Sequence, residues 1–186
     1  MKKVLRAAKA LSGDIDPPGD KSISHRAVIF NSIATGAARI NGFSWAADCS
    51  STLSCLRALG ANIDEIDGGD LLIHGKGKNG FNEPENVIDA GNSGTTARLM
   101  AGLLAAQPFL SVITGDRSLR SRPMARVIHP LRLMGAGIWG RREDSCAPLV
   151  IKGGPLNGID YKLPVASAQL KSALLIAGLF AEGETT

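Results

Sequence analysis

Leu56-Arg57-Ala58-Leu59-Gly60-Ala61-Asn62-Ile63 is answered 75 positions later by Leu131-Arg132-Leu133-Met134-Gly135-Ala136-Gly137-Ile138, and this repetition decides the fold. In both stretches an amphipathic run stops at a glycine, the residue that takes left-handed backbone without a Cβ penalty, so each reads as the closing turns of a helix. Working outward, another helix opens upstream of each with a small polar residue: Ser22 before His25-Arg26-Ala27, and Ser93 before Thr96-Ala97-Arg98. A third opening stands at Ser167, ahead of Gln169-Leu170-Lys171. The intervals, 71 positions and then 74, put the repeat period in the low seventies.

Short β-like stretches lie between these helices, at Ala38–Phe43, Asp70–His74, Leu110–Thr114 and Leu149–Lys152, bounded by Gly, Asp or Asn. Each unit then reads as βαβαββ. A small sheet with two helices cannot bury its apolar faces alone, so the expected fold is α/β, with repeated units that pack their helices in a shared core and keep the sheets outside. The third unit is incomplete: Gly183–Thr186 begins the strand equivalent to Ala38–Phe43 and Leu110–Thr114, and the sequence is expected to be a piece of a longer chain.

Composition narrows the class. At 186 residues and 44% hydrophobic content the chain can bury a sizeable core, built from Ala, Leu, Ile and Val because only 4% of residues are aromatic. The longest apolar runs, Leu99–Ala106 and Ala173–Phe180, fall short of the roughly 20 residues a membrane span needs, and the basic start lacks a secretory apolar stretch. A cytoplasmic location is the expectation. Cys49, Cys55 and Cys146 form no C-x-x-C pair and have no neighbouring histidines, so reduced buried thiols are expected, with no metal site. A net charge of +4 in separate basic clusters without interleaved aromatics argues against nucleic acid and for small anions.

Those clusters coincide with the helix starts. Pro17 to Arg26, P-P-G-D-K-S-I-S-H-R, sets Lys21 and Ser22 at a turn into a helix with Arg26 one turn on, which joins backbone N–H groups to a point charge, a hydroxyl and a planar fork. His25, with no partner carboxylate in the motif, makes a poor general base. Asp89 to Arg98, D-A-G-N-S-G-T-T-A-R, offers a second cradle in which Gly91 and Gly94 let a ligand approach the backbone; it is neither a nucleotide P-loop nor a dinucleotide fingerprint. Arg117, Arg120, Arg122 and Arg126 form the densest charge cluster, and Pro123 is expected to start a helix that leaves Arg122 near its N-cap. Pro164 to Ala173 presents Ser167 and Gln169 at the third start, with Lys171 behind them. Three such starts packed in parallel would aim their positive ends at one multiply anionic small molecule. No acidic residue among the motifs, Asp48 included, makes a persuasive acid or base, so the sequence reads as a binding half.

Together the segments G-D-K-S-I-S-H-R, G-N-S-G-T-T-A-R, S-R-P-M-A-R-V and P-V-A-S-A-Q-L-K-S-A-L-L, in this order, resemble the successive signatures of the 5-enolpyruvylshikimate-3-phosphate synthase family. The resemblance implies an enolpyruvyl transferase-like fold of two domains, with helix N-termini converging on the cleft between them. It implies that residues 1–16 are a crossover segment of the lower domain and 17–186 a truncated substrate-binding domain. The implied reaction moves the enolpyruvyl group of phosphoenolpyruvate to the 5-hydroxyl of 3-phosphoshikimate and releases phosphate, in the shikimate pathway to aromatic amino acids, with no metal or organic cofactor. By matching motif, Lys21, Ser22, Arg26, Ser167 and Gln169 would bind 3-phosphoshikimate, and Lys21, Asn92, Gly94, Arg122 and Gln169 phosphoenolpyruvate. Asp48 matches a position near the domain crossover. Ala168 and Leu99 stand where one class of the family has serine and proline, so the chain resembles the other class. Gly94 is the glycine that some glyphosate-tolerant members replace by alanine. The acid and base would lie beyond Thr186, and this chain alone is expected to bind without catalysing. Two alternatives differ in kind: a non-catalytic 3-phosphoshikimate-binding half of a split enzyme, and a UDP-sugar enolpyruvyl transferase, whose family has asparagine where this chain has Ser22.

Overall fold

Successive side chains of a strand point to opposite faces, so in Asp70-Leu71-Leu72-Ile73-His74 Leu71 and Ile73 share one face, and both are fully buried in the computed structural model of the chain. The structure describes residues 3–4, 7–8 and 10–186, so residues 1, 2, 5, 6 and 9 of the expected crossover segment lie outside the described residues. In chain order the elements are α1 (Lys21–Ile33), β1 (Thr35–Ile40), α2 (Ala47–Ala58), β2 (Asn62–Ile66), β3 (Asp70–Lys76), β4 (Ile88–Asp89), α3 (Gly94–Ala105), β5 (Leu110–Thr114), α4 (Ala125–Leu133), β6 (Gly137–Gly140), α5 (Arg141–Asp144, one turn), β7 (Cys146–Lys152) and α6 (Ala168–Gly178).

Two sheets carry the repeat. The first has the order β1-β3-β2 with both pairings antiparallel, and the second repeats it as β5-β7-β6, with β4 added parallel to β5. The two matched sequences close their helices in the same way. Ala61 N donates to Leu56 O and Ala136 N to Leu131 O, both at 3.0 Å, around Gly60 at φ +79° and Gly135 at φ +103°. Even the arginines agree: Arg57 donates to the carbonyl of Ile63 and Arg132 to that of Ile138. The third unit is present in part. Asn157 bridges Glu182 in parallel at the same 25-residue separation as Ile88 and Ile113 in the β4–β5 pair, and Thr186 N donates to Ile159 O at 2.9 Å.

The helices form the core and the sheets lie outside, as expected for the repeated unit. Helix α3 is central, with Leu99, Met100, Leu103 and Leu104 fully buried. It presses against α6 so closely that a Cβ at Gly102 would stand 2.2 Å from the Ala173 carbonyl oxygen. Three expectations need correction. The strand expected at Ala38–Phe43 is Thr35–Ile40, because the Asp70 carboxylate accepts from Gly42 N at 3.1 Å and turns the chain away after Ile40. The strand expected at Leu149–Lys152 begins earlier, at Cys146. Residues 10–20 carry no helix or strand, so the first unit lacks a leading strand among the described residues.

Candidate functional site at the helix starts

A helix start leaves backbone N–H groups without intrahelical acceptors, and a capping side chain satisfies one of them. In α3 and α6 the caps are the expected serines: Ser93 accepts from Thr96 N at 3.1 Å and Ser167 from Leu170 N at 3.3 Å. In α1 the cap is Asp20, whose carboxylate accepts from Ile23 N at 2.7 Å, and Ser22 lies inside the first turn. That correction tightens the repeat, since Asp20, Ser93 and Ser167 are 73 and 74 positions apart. In this register Lys21, Gly94 and Ala168 share the first helical position, Ser22, Thr95 and Gln169 the second, and His25, Arg98 and Ser172 the fifth.

Residues of the first two turns meet across the helices, one pair, Thr95 and Gln169, at equivalent positions. Gln169 donates to Thr95 Oγ1 at 2.9 Å and accepts from Arg98 at 2.9 Å, while Arg26 donates to Ser172 Oγ at 2.6 Å. The starts of α1, α3 and α6 therefore open side by side, with their positive dipole ends together. Arg26 also donates to the Ser22 carbonyl at 2.8 Å, which lays it back over its own first turn. Lys21 pairs with Asp48, in the first turn of α2, at 2.8 Å. The hydrogen bond and the charge of Asp48 raise the lysine's pKa above its ordinary value.

Around α3 the groups lock one another. Arg122 donates to Asn92 Oδ1, and Asn92 Nδ2 donates to Asp116, both at 2.5 Å. Asp116 accepts from Leu119 N as well, and these two hydrogen bonds hold its carboxyl below the usual range. Arg122 does not sit at a helix N-cap. It closes a 3-10 turn at Leu119–Ser121, and α4 starts at Ala125 because Pro123 bridges Cys146 as extended chain. A Cβ on Gly94 would come within 2.7 Å of an Arg98 nitrogen and 3.0 Å of an Arg122 nitrogen, so the glycine keeps two guanidinium groups close to the helix start. Arg117 and Arg120 line a separate cleft with Arg141 and Arg142.

Arg98 is the residue that sequence reasoning passed over. It donates to Gly94 O, Gln169 Oε1 and Pro123 O, and it lines a small cleft with Arg126, Val127, Ser167, Gln169 and Leu170. Burial first, then the charges of Arg122 and Arg126, lower its pKa from the ordinary arginine value. Its only sign in the sequence is its place at the end of the glycine-rich motif. Gln169 and Pro123 come from other parts of the chain, and nothing local marks them as its partners. His25 is fully buried, which removes it from any contact with solvent-borne ligand. The three cysteines are buried and free. Among the described residues no three His, Cys, Asp or Glu side chains stand together as metal ligands, and no helix is long and apolar enough to cross a membrane.

Comparisons with known proteins place this arrangement among relatives. A family model described as EPSP synthase (3-phosphoshikimate 1-carboxyvinyltransferase) matches residues 5–186. The chain is 55% identical over 186 residues to a 3-phosphoshikimate 1-carboxyvinyltransferase of Thermodesulfovibrio yellowstonii, covering 100% of this chain and 43% of that protein. It is 57% identical over 182 residues to the protein of that name from Chloroflexus aurantiacus, covering 98% of this chain and 42% of the relative. An EPSP synthase structure from Acinetobacter baumannii superposes with a TM-score of 0.90 at 49% identity, over 93% of this chain and 39% of that one. The chain thus spans less than half the length of the relatives it matches.

Proposed function

This chain belongs to the EPSP synthase family, and we propose that it supplies the substrate-binding part of an enzyme that transfers the enolpyruvyl group of phosphoenolpyruvate to the 5-hydroxyl of 3-phosphoshikimate, releasing phosphate. The observation that carries the reading is the side-by-side opening of α1, α3 and α6 with Lys21, Arg26, Arg98 and Arg122 at their starts. Both substrates are multiply charged anions, which such a surface suits. In the proposal Lys21, Ser22, Arg26, Ser167 and Gln169 hold 3-phosphoshikimate, while Lys21, Asn92, Gly94, Arg122 and Gln169 face phosphoenolpyruvate. Arg98 sets the angle of Gln169 between the two. The carboxylates at these helix starts are engaged, Asp20 by Ile23 N, Asp48 by Lys21, Asp89 by Gly91 N and Asp116 by Asn92 and Leu119 N, so none is a free acid or base among the described residues of the site. Proton transfer is therefore assigned to the part of the family's length that this sequence does not span, and this chain alone binds without turning over.

Calorimetric titration of the 186-residue chain with 3-phosphoshikimate at low salt tests the reading. Saturable binding is expected, and Arg26→Ala and Ser167→Ala should each weaken it by about tenfold, the loss of roughly one charge-assisted or hydroxyl hydrogen bond to an anion. A folded chain that gives no heat, or variants that bind as well as the parent, would remove the residue assignment.

A further inference from the structure

Beneath the helix starts runs a buried polar chain that anion binding does not use. His25 Nδ1 lies 2.7 Å from Thr52 Oγ1, which lies 2.7 Å from Thr96 Oγ1. Thr96 Oγ1 in turn donates to the main-chain carbonyl of Asp48 at 3.1 Å and lies 2.8 Å from Ser93 Oγ. His25, Thr52, Thr96 and Ser93 are all buried, with at most 1% of their surface exposed. The chain links α1 to α2 to α3 and then returns to the first turn of α2, at the residue whose side chain pairs with Lys21.

The direction of the protons follows from the acceptors. Thr96 Oγ1 has one proton and three oxygens in reach, and given to the Asp48 carbonyl, which can only accept, that proton is not available to Thr52. In that arrangement Thr52 donates to Thr96 and, with its own proton spent, accepts from His25. The imidazole is therefore the Nδ1–H tautomer. The opposite nitrogen agrees: Nε2 is buried without a hydrogen-bond partner, and a bare acceptor there is more tolerable than an orphaned N–H. The charged groups that face the ring are Asp48 from α2 and Lys21 and Arg26 from α1, while α3 presents the neutral Thr96.

We infer that His25 is a positioning residue: as the Nδ1–H tautomer it starts a one-way chain of hydroxyls that pins the Asp48 main chain, and so holds the Lys21–Asp48 pair at the mouth of the anion site. The effect on substrate rests on the function proposed above. The pinning itself rests only on the geometry of α1, α2 and α3. An apolar residue of equal bulk at position 25 would leave Thr52 free to turn its hydroxyl, take the Thr96 hydroxyl off the Asp48 carbonyl and loosen the first turn of α2 that holds Asp48 against Lys21.

Three readouts test this in the 186-residue chain. Long-range proton–nitrogen NMR of the parent should report a neutral Nδ1–H imidazole at pH 7, and an Nε2–H tautomer overturns the inference outright. Titration of the Lys21 side chain by NMR should show its raised pKa in the parent and in His25→Asn, whose amide N–H sits near Nδ1. The same titration should show a return towards the ordinary lysine value in His25→Phe. Thr52→Ser against Thr52→Val repeats the contrast from the other side, and unchanged Lys21 titration in both apolar variants overturns the pinning. Affinity for 3-phosphoshikimate should fall about tenfold in the apolar variants and stay within about threefold in the polar ones. If the parent binds no 3-phosphoshikimate, the substrate reading fails while the lysine titration still decides the role of His25.

Discussion

Helices α1 and α3 hold the same place in successive units, yet their surroundings differ. Helix α1 lies at the edge of the stack, with Ile23 68% and Phe30 41% exposed, and the charges at its start are tied to neighbouring helices, Lys21 to Asp48 of α2 and Arg26 to Ser172 of α6. Helix α3 is enclosed, ten of its twelve residues being buried, and the polar groups at its start are fixed by neighbours from α6 and from the loop before α4. Nine positions after the cap α1 has Ile29 where α3 has Gly102, and five positions after the cap α1 has His25 where α3 has Arg98. The unit repeats its backbone, but place in the stack decides what each side chain must do. An edge helix can carry adjustable charges, whereas a central one must present groups already set.

The sharpest way to break the contrast is at that glycine. In Gly102→Ala the new methyl would meet backbone, the Ala173 carbonyl at 2.2 Å, and neither helix can give way without opening the core. Overpacking of this kind should cost about 3 kcal/mol. The equivalent change in α1, Ile29→Val, removes one methylene from a buried position and should cost about 1 kcal/mol. Urea unfolding of the two variants gives both numbers. Equal losses would mean that α1 and α3 are packed alike and would undo the distinction.

Acid separates the two helices by a different route. Burial lowers the pKa of His25 from 6.5 to about 4. The unfolded chain therefore takes up a proton near pH 6.5 that the folded chain refuses until about pH 4. The stability due to this group is complete above pH 6.5 and is lost as pH falls towards 4, by roughly 3 kcal/mol in total. Arg98, at the same position of α3, stays charged throughout and adds no slope. Denaturant unfolding from about pH 7.5 to about pH 4 should thus show a decline in the parent that His25→Asn flattens. A decline of the same size in both would show that His25 is not its source; Asp70, Asp116 and Asp144, whose pKa values are lowered, lose their contribution only at more acid pH, below this window. The lowered value at Asp144 comes from its hydrogen bond with Arg132 and from Gly140 N, well away from the helix starts.

What the sequence disclosed, and what it withheld, follows the same division between local and distant causes. The helix ends at Gly60 and Gly135 are legible because a left-handed glycine after an amphipathic run is a local event, and so are the caps Ser93 and Ser167. Asp20 loses to Ser22 in the sequence although both residue types cap well; only the 73-residue interval to Ser93, against 71 from Ser22, separates them. The expected α4 start falls too early because Pro123 satisfies the local rule for a first helical position, while its bridge is made to Cys146, in a strand that follows α4. Arg98 and the His25 chain are out of reach for a like reason. Their meaning lies in Gln169, Pro123, Thr52 and Thr96, partners that only the packing of the helices brings within hydrogen-bond distance.

The caps themselves give the finest test of the comparison. Asp20 and Ser93 do the same job, each accepting one N–H three residues on, so an isolated helix would value them alike. Their settings differ. Asp20 is exposed, and in Asp20→Ala water can replace the carboxylate at Ile23 N, which limits the loss to about 1 kcal/mol. Ser93 is 1% exposed and also touches Thr96 Oγ1, so Ser93→Ala leaves a buried N–H with no acceptor and shortens the hydroxyl chain, for a loss of about 2 kcal/mol. The difference between the two variants, roughly 1 kcal/mol by urea unfolding, measures enclosure with the capping chemistry held fixed. Equal losses would mean that the α3 start is as open to water as the α1 start, and the preset half of the site would have to be sought elsewhere in the fold.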